Sequence, residues 1–100
     1  MVVEWTTPAI QDLKDFREIT KMNNSSKYIL NLVNYVSLLS EQPHLGKIYF
    51  YTHNHIIRQL IYKQHRIFYY VEKNTIYILT VVHHRQNIQY KIKYIKNRFN

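Results

Sequence analysis

Three arginines, Arg58, Arg66 and Arg85, stand in three successive stretches of the second half of the chain, and each stretch reads as a β-strand or its end. A guanidinium is permanently charged and offers a planar fork of donors, so a cluster of them suits phosphate. Adjacent antiparallel strands can bring such positions onto one face. Three cations held close repel one another and persist best where an anionic ligand completes the site. Carboxylate partners are scarce, because Glu72 is the one acid between residues 42 and 100. His83 and His84 adjoin Arg85. An imidazole, with an ordinary pKa of about 6.5, can give or take a proton near neutral pH. Successive strand residues point to opposite faces, so one histidine of the pair faces the arginines. Either one alone reads more simply as a hydrogen-bonding residue at a strand end. Tyr90 follows Arg85 by five residues. It either stacks on a base or packs the tail onto the sheet, and packing is the expected role. The set that could hold nucleic acid or another anion is thus Arg58, Lys63, Arg66, Arg85 and Tyr90.

Other chemistries are closed off. The chain has six histidines, but their spacing lacks the His-x3-His or thiolate pattern of a zinc site, and His53 and His55 merely share a face if extended. No metal and no cofactor is expected. There is no cysteine, so a disulfide framework and a cysteine nucleophile are excluded. Gly46 is the one glycine, which excludes glycine-rich phosphate loops. No apolar run approaches the ~20 residues of a membrane span, so no membrane partner is expected and the chain reads as cytoplasmic.

Charge divides the chain in two. Residues 1–41 hold four cations and five acids, a balance of −1, whereas residues 42–100 hold ten cations and one acid, a balance of +9. A potential of that sign attracts polyanions or an acidic protein. Scattered solubilising charge would mix both signs.

The elements that must position these residues follow from pattern. One hundred residues bound a single domain spanning 1–100. Met1 to Trp5 reads as a strand. Thr6-Thr7-Pro8 opens a helix, with a hydroxyl N-cap followed by proline at the first helical position. Leu13, Phe16 and Ile19 continue its apolar stripe. Asn23 to Ser26 reads as a loop, with Ser26 as the next N-cap. Ile29, Leu32, Val33, Val36 and Leu39 form a second amphipathic helix that ends before Pro43, and the short loop makes the two an antiparallel hairpin. Ile48–Tyr51, Ile56–Tyr62, Arg66–Val71 and Ile76–Val82 are β-branched and aromatic, separated by breaks short enough for antiparallel pairing. Asn54 and Asn74 are the residues expected to take positive φ in the turns. The tail from Ile88 fits both periods, and a short helix is the reading preferred. The fold class is α+β: an N-terminal strand and two-helix hairpin packed on an antiparallel β-sheet, with helices on one face.

Five segments carry a family likeness: Val3-Glu4-Trp5-Thr6 with Ala9, Asp12 and Leu13; Pro43 to Lys47; Arg58-Gln59-Leu60; His65-Arg66-Ile67-Phe68-Tyr69; and Ile76–Val82 followed by His83-His84-Arg85. In this order and at these spacings the chain resembles the RelE/ParE toxin superfamily of bacterial type II toxin–antitoxin systems. It departs at His65, where tyrosine is common, and at Gln59, where an acid often stands. The resemblance implies a growth-arresting toxin with a cognate antitoxin as partner. Its target would be DNA gyrase or the ribosome with its mRNA. The ParE-like branch, which blocks gyrase without catalysis, is slightly favoured. The Arg-x-Leu, Arg-Ile-x-Tyr and His-His-Arg pattern looks more like that group, and the paired lysines of RelE-like nucleases are missing, since Arg58 and Lys63 do not reproduce their spacing. In the RelE-like alternative the protein is a ribosome-dependent mRNA endonuclease. Arg66 and Arg85 would then stabilise the phosphorane, His83 or His84 would move a proton, and Tyr90 would stack on a base. A third reading is a non-catalytic basic RNA-binding module.

Overall fold

The computed structural model of the chain describes residues 1–20 and 25–99. Along it run β1 (Val2–Trp5), α1 (Thr7–Thr20), α2 (Ser25–Val36) with a 3-10 turn at Ser37–Ser40, β2 (Lys47–Tyr51), β3 (Ile56–Tyr62), β4 (His65–Glu72), β5 (Thr75–His83) and α3 (Gln89–Phe99). The expected α+β order is present, and the ambiguous tail is a helix. The expected loop at Asn23-Asn24 lies outside the described residues. Because α2 already includes Ser25, Ser26 sits inside the helix instead of capping it.

Thr6 starts α1 as its sequence context demands. Its carbonyl accepts from the Ile10 N–H at 3.0 Å and its hydroxyl accepts from the Ala9 N–H at 3.5 Å. The same hydroxyl donates to the Ile78 carbonyl at 2.7 Å, which ties the helix start to the sheet. The helix begins at Thr7, so Pro8 is its second residue and not its first as expected; within the first turn its missing N–H still costs no helical bond.

The sheet order is β1-β5-β4-β3-β2. The four consecutive strands β2 to β5 pair antiparallel, and β1 adds a parallel edge to β5, so the sheet is mixed. The positive φ values are at Lys63 (50°) and Lys73 (55°), not at Asn54 or Asn74. Each two-residue turn puts its left-handed residue first, and that place is lysine in both. Asn54 lies in the longer connection, which Thr52 closes by accepting the His55 N–H on its hydroxyl at 3.0 Å.

Leu79 is an extra residue on β5. Phe68 pairs with Thr80 but Tyr69 pairs with Ile78, so the strand bulges there and its side chains change face. Both faces of the central strands are apolar and both are covered, as such strands require. On one face Leu32, Val36, Leu39, Leu60, Ile67, Tyr69 and Ile78 are buried between the sheet and the helix pair. On the other, Ile57, Phe68, Tyr70, Leu79 and Val82 are buried with Ile95 of α3. The expectation of helices on one face therefore holds for α1 and α2, while α3 covers the opposite face. Its last turn is clasped where Phe99 and Tyr70 meet the His55 ring at 4.7 and 4.8 Å. His55 Nε2 also lies 3.6 Å from Glu72 Oε1.

Candidate functional site

β1 pairs with β5 only from Thr75 to Ile78, which frees the outer edge of β5 beyond that point. An open edge exposes unpaired backbone donors. Asp12 of α1 fills this place. Its Oδ2 accepts the Val81 N–H at 2.9 Å and the Thr80 hydroxyl at 2.6 Å. Its Oδ1 accepts from Lys91 Nζ of α3 at 2.8 Å, and both side chains are 14% exposed. One carboxylate thus joins a helix, a strand edge and the tail helix. Beside it opens a cleft of about 380 Å³, with Leu13, Phe16 and Val81 as apolar lining and His65, His83, Arg85 and Tyr90 among its polar groups.

His65 is buried in this wall. Its Nδ1 lies 2.8 Å from the Tyr28 hydroxyl, and its ring meets Phe16 and His83 edge-on, with centroids at 4.6 and 5.1 Å. Burial, and then the charges His83 and His84 would carry, hold its pKa down at about 4, so the ring is neutral near neutral pH. Burial, His84 and Arg85 also lower the pKa of His83. Both ring nitrogens of His83 are engaged within the chain. Nδ1 accepts the Arg85 N–H at 3.1 Å, which leaves Nε2 to donate to Gln64 Oε1 at 3.2 Å. β5 ends at His83, so His84 is released from strand alternation and its ring lies 4.5 Å from that of His83.

The arginines do not converge. Arg58 lies on the α1–α2 side of the sheet, and its Nη1 donates to the Gly46 carbonyl at 2.8 Å. Gly46 in turn donates its N–H to the Tyr69 hydroxyl at 2.9 Å, and that hydroxyl donates to the Pro43 carbonyl at 2.8 Å. Arg58 is thereby a strut of the turn leading into β2. Arg66 lies on the opposite face, its guanidinium carbon 5.8 Å from the Tyr49 ring centre and 6.0 Å from that of Phe68. Cross-strand partners share a face, and Arg66 pairs with Ile61, three residues from Arg58, so the two alternate apart. Arg85 is exposed in the loop after β5. Lys63, in the β3–β4 turn, lies 5.9 and 5.5 Å from the Tyr28 and Tyr62 ring centres.

The cleft therefore gathers His83, Arg85 and Tyr90 and leaves out Arg58 and Arg66. Tyr90 is 64% exposed, so the expected packing of this ring on the sheet is not what the structure shows; Ile88, Ile95 and Phe99 do that work. Asp12, Gln64 and Tyr49 were not among the residues the sequence singled out for chemistry, and Lys91, which as part of the basic tail could touch phosphates, pairs with Asp12 instead. Asp12 had two available signals, its place in the first segment of the family likeness and its position as an acid on the margin of the α1 apolar stripe.

Among the described residues no helix is long and apolar enough to cross a membrane. No curated protein matches the chain. The family model described as the ParE toxin of type II toxin-antitoxin system, parDE, matches residues 3–88. That span runs from β1 to the residue before α3 and takes in Asp12, His65 and the three arginines. The chain belongs to this family and is the toxin of a type II toxin–antitoxin pair, ParE-like and with a cognate antitoxin as its partner.

Proposed function

We propose that this toxin arrests growth by binding DNA gyrase in the cytoplasm, without cutting RNA. One observation carries the reading beyond the family match. Arg66 lies across the sheet from His83 and Arg85, while both nitrogens of His83 are engaged inside the chain. In-line cleavage at phosphate needs cations and proton-transfer groups around one atom, each within hydrogen-bond reach. A binding mechanism needs no such convergence. Arg66, Arg85, Lys63 and Tyr90 then act as contact residues, and Arg58 acts through the turn it supports. An acidic antitoxin segment, folding as it binds, opposes the +9 of residues 42–100.

Purified toxin should inhibit supercoiling of plasmid DNA by gyrase and leave mRNA intact on translating ribosomes at toxin excess. Cleaved mRNA with normal supercoiling would reject the reading. Co-expression of the antitoxin should abolish the inhibition.

A further inference from the structure

The sheet face away from α1 and α2 carries cations that no acid matches. Arg66 lies over the rings of Tyr49 and Phe68, and Lys96 Nζ of α3 lies 5.4 Å from the Phe50 ring centre. The rings are continuous: Tyr49 meets Phe50 at 5.8 Å and Phe68 at 5.2 Å. Among the described residues neither Arg66 nor Lys96 has a carboxylate within ion-pair distance, since the pairs formed are His55–Glu72 and Lys91–Asp12. Tyr49 is the residue at which β2 slips register, and it is 36% exposed. Ile61, the cross-strand partner of Arg66, is 57% exposed. A half-open strip therefore runs along the flank of α3, through Ile61, Arg66, Tyr49, Phe50 and Lys96.

A guanidinium laid near aromatic rings makes a flat, charged π surface. A nucleobase can add the next layer to such a stack, and its phosphates can take a neighbouring ammonium. A carboxylate partner would satisfy the charges but would bind the guanidinium in its own plane, leaving the rings idle. Duplex DNA keeps its base faces covered, so the stack suits exposed bases. We infer that this strip docks single-stranded nucleic acid, with bases stacking on the Tyr49–Arg66 pair and backbone phosphates on Lys96. The inference goes beyond gyrase binding and does not depend on it.

The test is fluorescence anisotropy with labelled oligothymidylate and oligouridylate of about twelve nucleotides, within the range one such surface can hold. Binding should be measurable at low salt and weaken as salt rises. Tyr49→Ala and Arg66→Ala should each weaken it about tenfold, the scale of one lost stack. Lys27→Ala, on the exposed face of α2, should change it by less than about threefold, as loss of one diffuse charge does. Arg66→Lys keeps the charge and loses the plane, so it should resemble Arg66→Ala, and thermal unfolding of each variant shows that it is folded. Tighter binding of one oligomer identifies DNA or RNA as the occupant. Three results would overturn the inference: no binding of either oligomer at low salt, equal loss in Lys27→Ala, or full affinity in Arg66→Lys. Loss of antitoxin binding in Arg66→Ala with oligomer binding intact would overturn it too, because the strip would then be a protein-docking surface.

Discussion

Asp12 and Lys91 meet at 2.8 Å over the open edge of β5, so the first and last helices are fastened through one carboxylate. Removing one partner of a mostly buried pair leaves the other charge uncompensated. Asp12→Ala also strips the Val81 N–H and the Thr80 hydroxyl of their acceptor. It should cost about 3 kcal/mol in urea unfolding, and Lys91→Ala less, because those two bonds survive. Equal losses in the two variants would mean that the strand-edge bonds contribute nothing.

His65 should make stability fall on the acid side of neutrality. Burial, with His83 and His84 beside it, holds its folded pKa at about 4, whereas the unfolded chain titrates near ~6.5. Between those values the unfolded state binds more protons, so unfolding becomes easier as pH drops. The slope reaches at most about 1.4 kcal/mol per pH unit, and the stability lost is about 2–3 kcal/mol across the window. His83, also lowered, acts in the same direction. Chemical denaturation of the parent chain and His65→Tyr across this pH range isolates the effect. Parallel profiles for the two proteins would exclude His65 as its source.

Gly46 should tolerate no side chain. A Cβ there would stand 2.7 Å from Tyr69 Cε1 and 2.9 Å from the Gln59 carbonyl oxygen, so ring and backbone would both have to move. Gly46→Ala should therefore cost about 1–3 kcal/mol. Arg58→Ala leaves the Gly46 carbonyl without its guanidinium donor and should cost about 1–2 kcal/mol. Its effect on toxicity should then follow the amount of folded protein. A fully folded, fully stable Arg58→Ala that no longer inhibits its target would instead make Arg58 a contact residue.

The two strand-end histidines offer a sharper contrast. If the toxin acts by binding alone, His83→Ala and His84→Ala should inhibit supercoiling within about twofold of the parent at constant pH, since neither moves a proton in a chemical step. Arg66→Ala and Arg85→Ala should inhibit less well, and the deficit should shrink as salt is raised. A loss of a hundredfold or so in either histidine variant, the scale of a missing acid or base, would return catalysis to consideration.

Much of this arrangement can be read from residues, and the rest has identifiable reasons for being hidden. The strand–helix–helix–four-strand order is written in apolar periodicity and in the Thr6-Thr7-Pro8 start. The separation of Arg58 from Arg66 was open to derivation too, although the reading of the residues grouped the two on one face. A two-residue turn at Lys63-Gln64 pairs Arg66 with Ile61, and the odd distance from Ile61 to Arg58 puts the arginines on opposite faces. The meeting of His65 and His83 was not legible. Without the bulge at Leu79, His65 would lie opposite Val82; the extra residue brings His83 there, and no glycine or proline marks the spot. Asp12 was hidden for another reason: its partners are 68, 69 and 79 residues away in sequence.

The parallel pairing of β1 with β5 bears on how the chain is made. Val2 to Trp5 emerge from the ribosome well before their strand partners, Thr75 to Ile78. The opening strand must wait for most of the polypeptide before it has an edge to join, and closing so long a loop slows folding. The α1–α2 hairpin can form early, but the Thr6 hydroxyl and the Asp12 carboxylate find their acceptors and donors only when β5 arrives. A ribosome stalled before residue 75 would therefore carry a nascent chain without its finished sheet. Limited proteolysis of chains arrested at successive lengths should show protection of Met1 to Trp5 appearing only after Ile78 has left the exit tunnel.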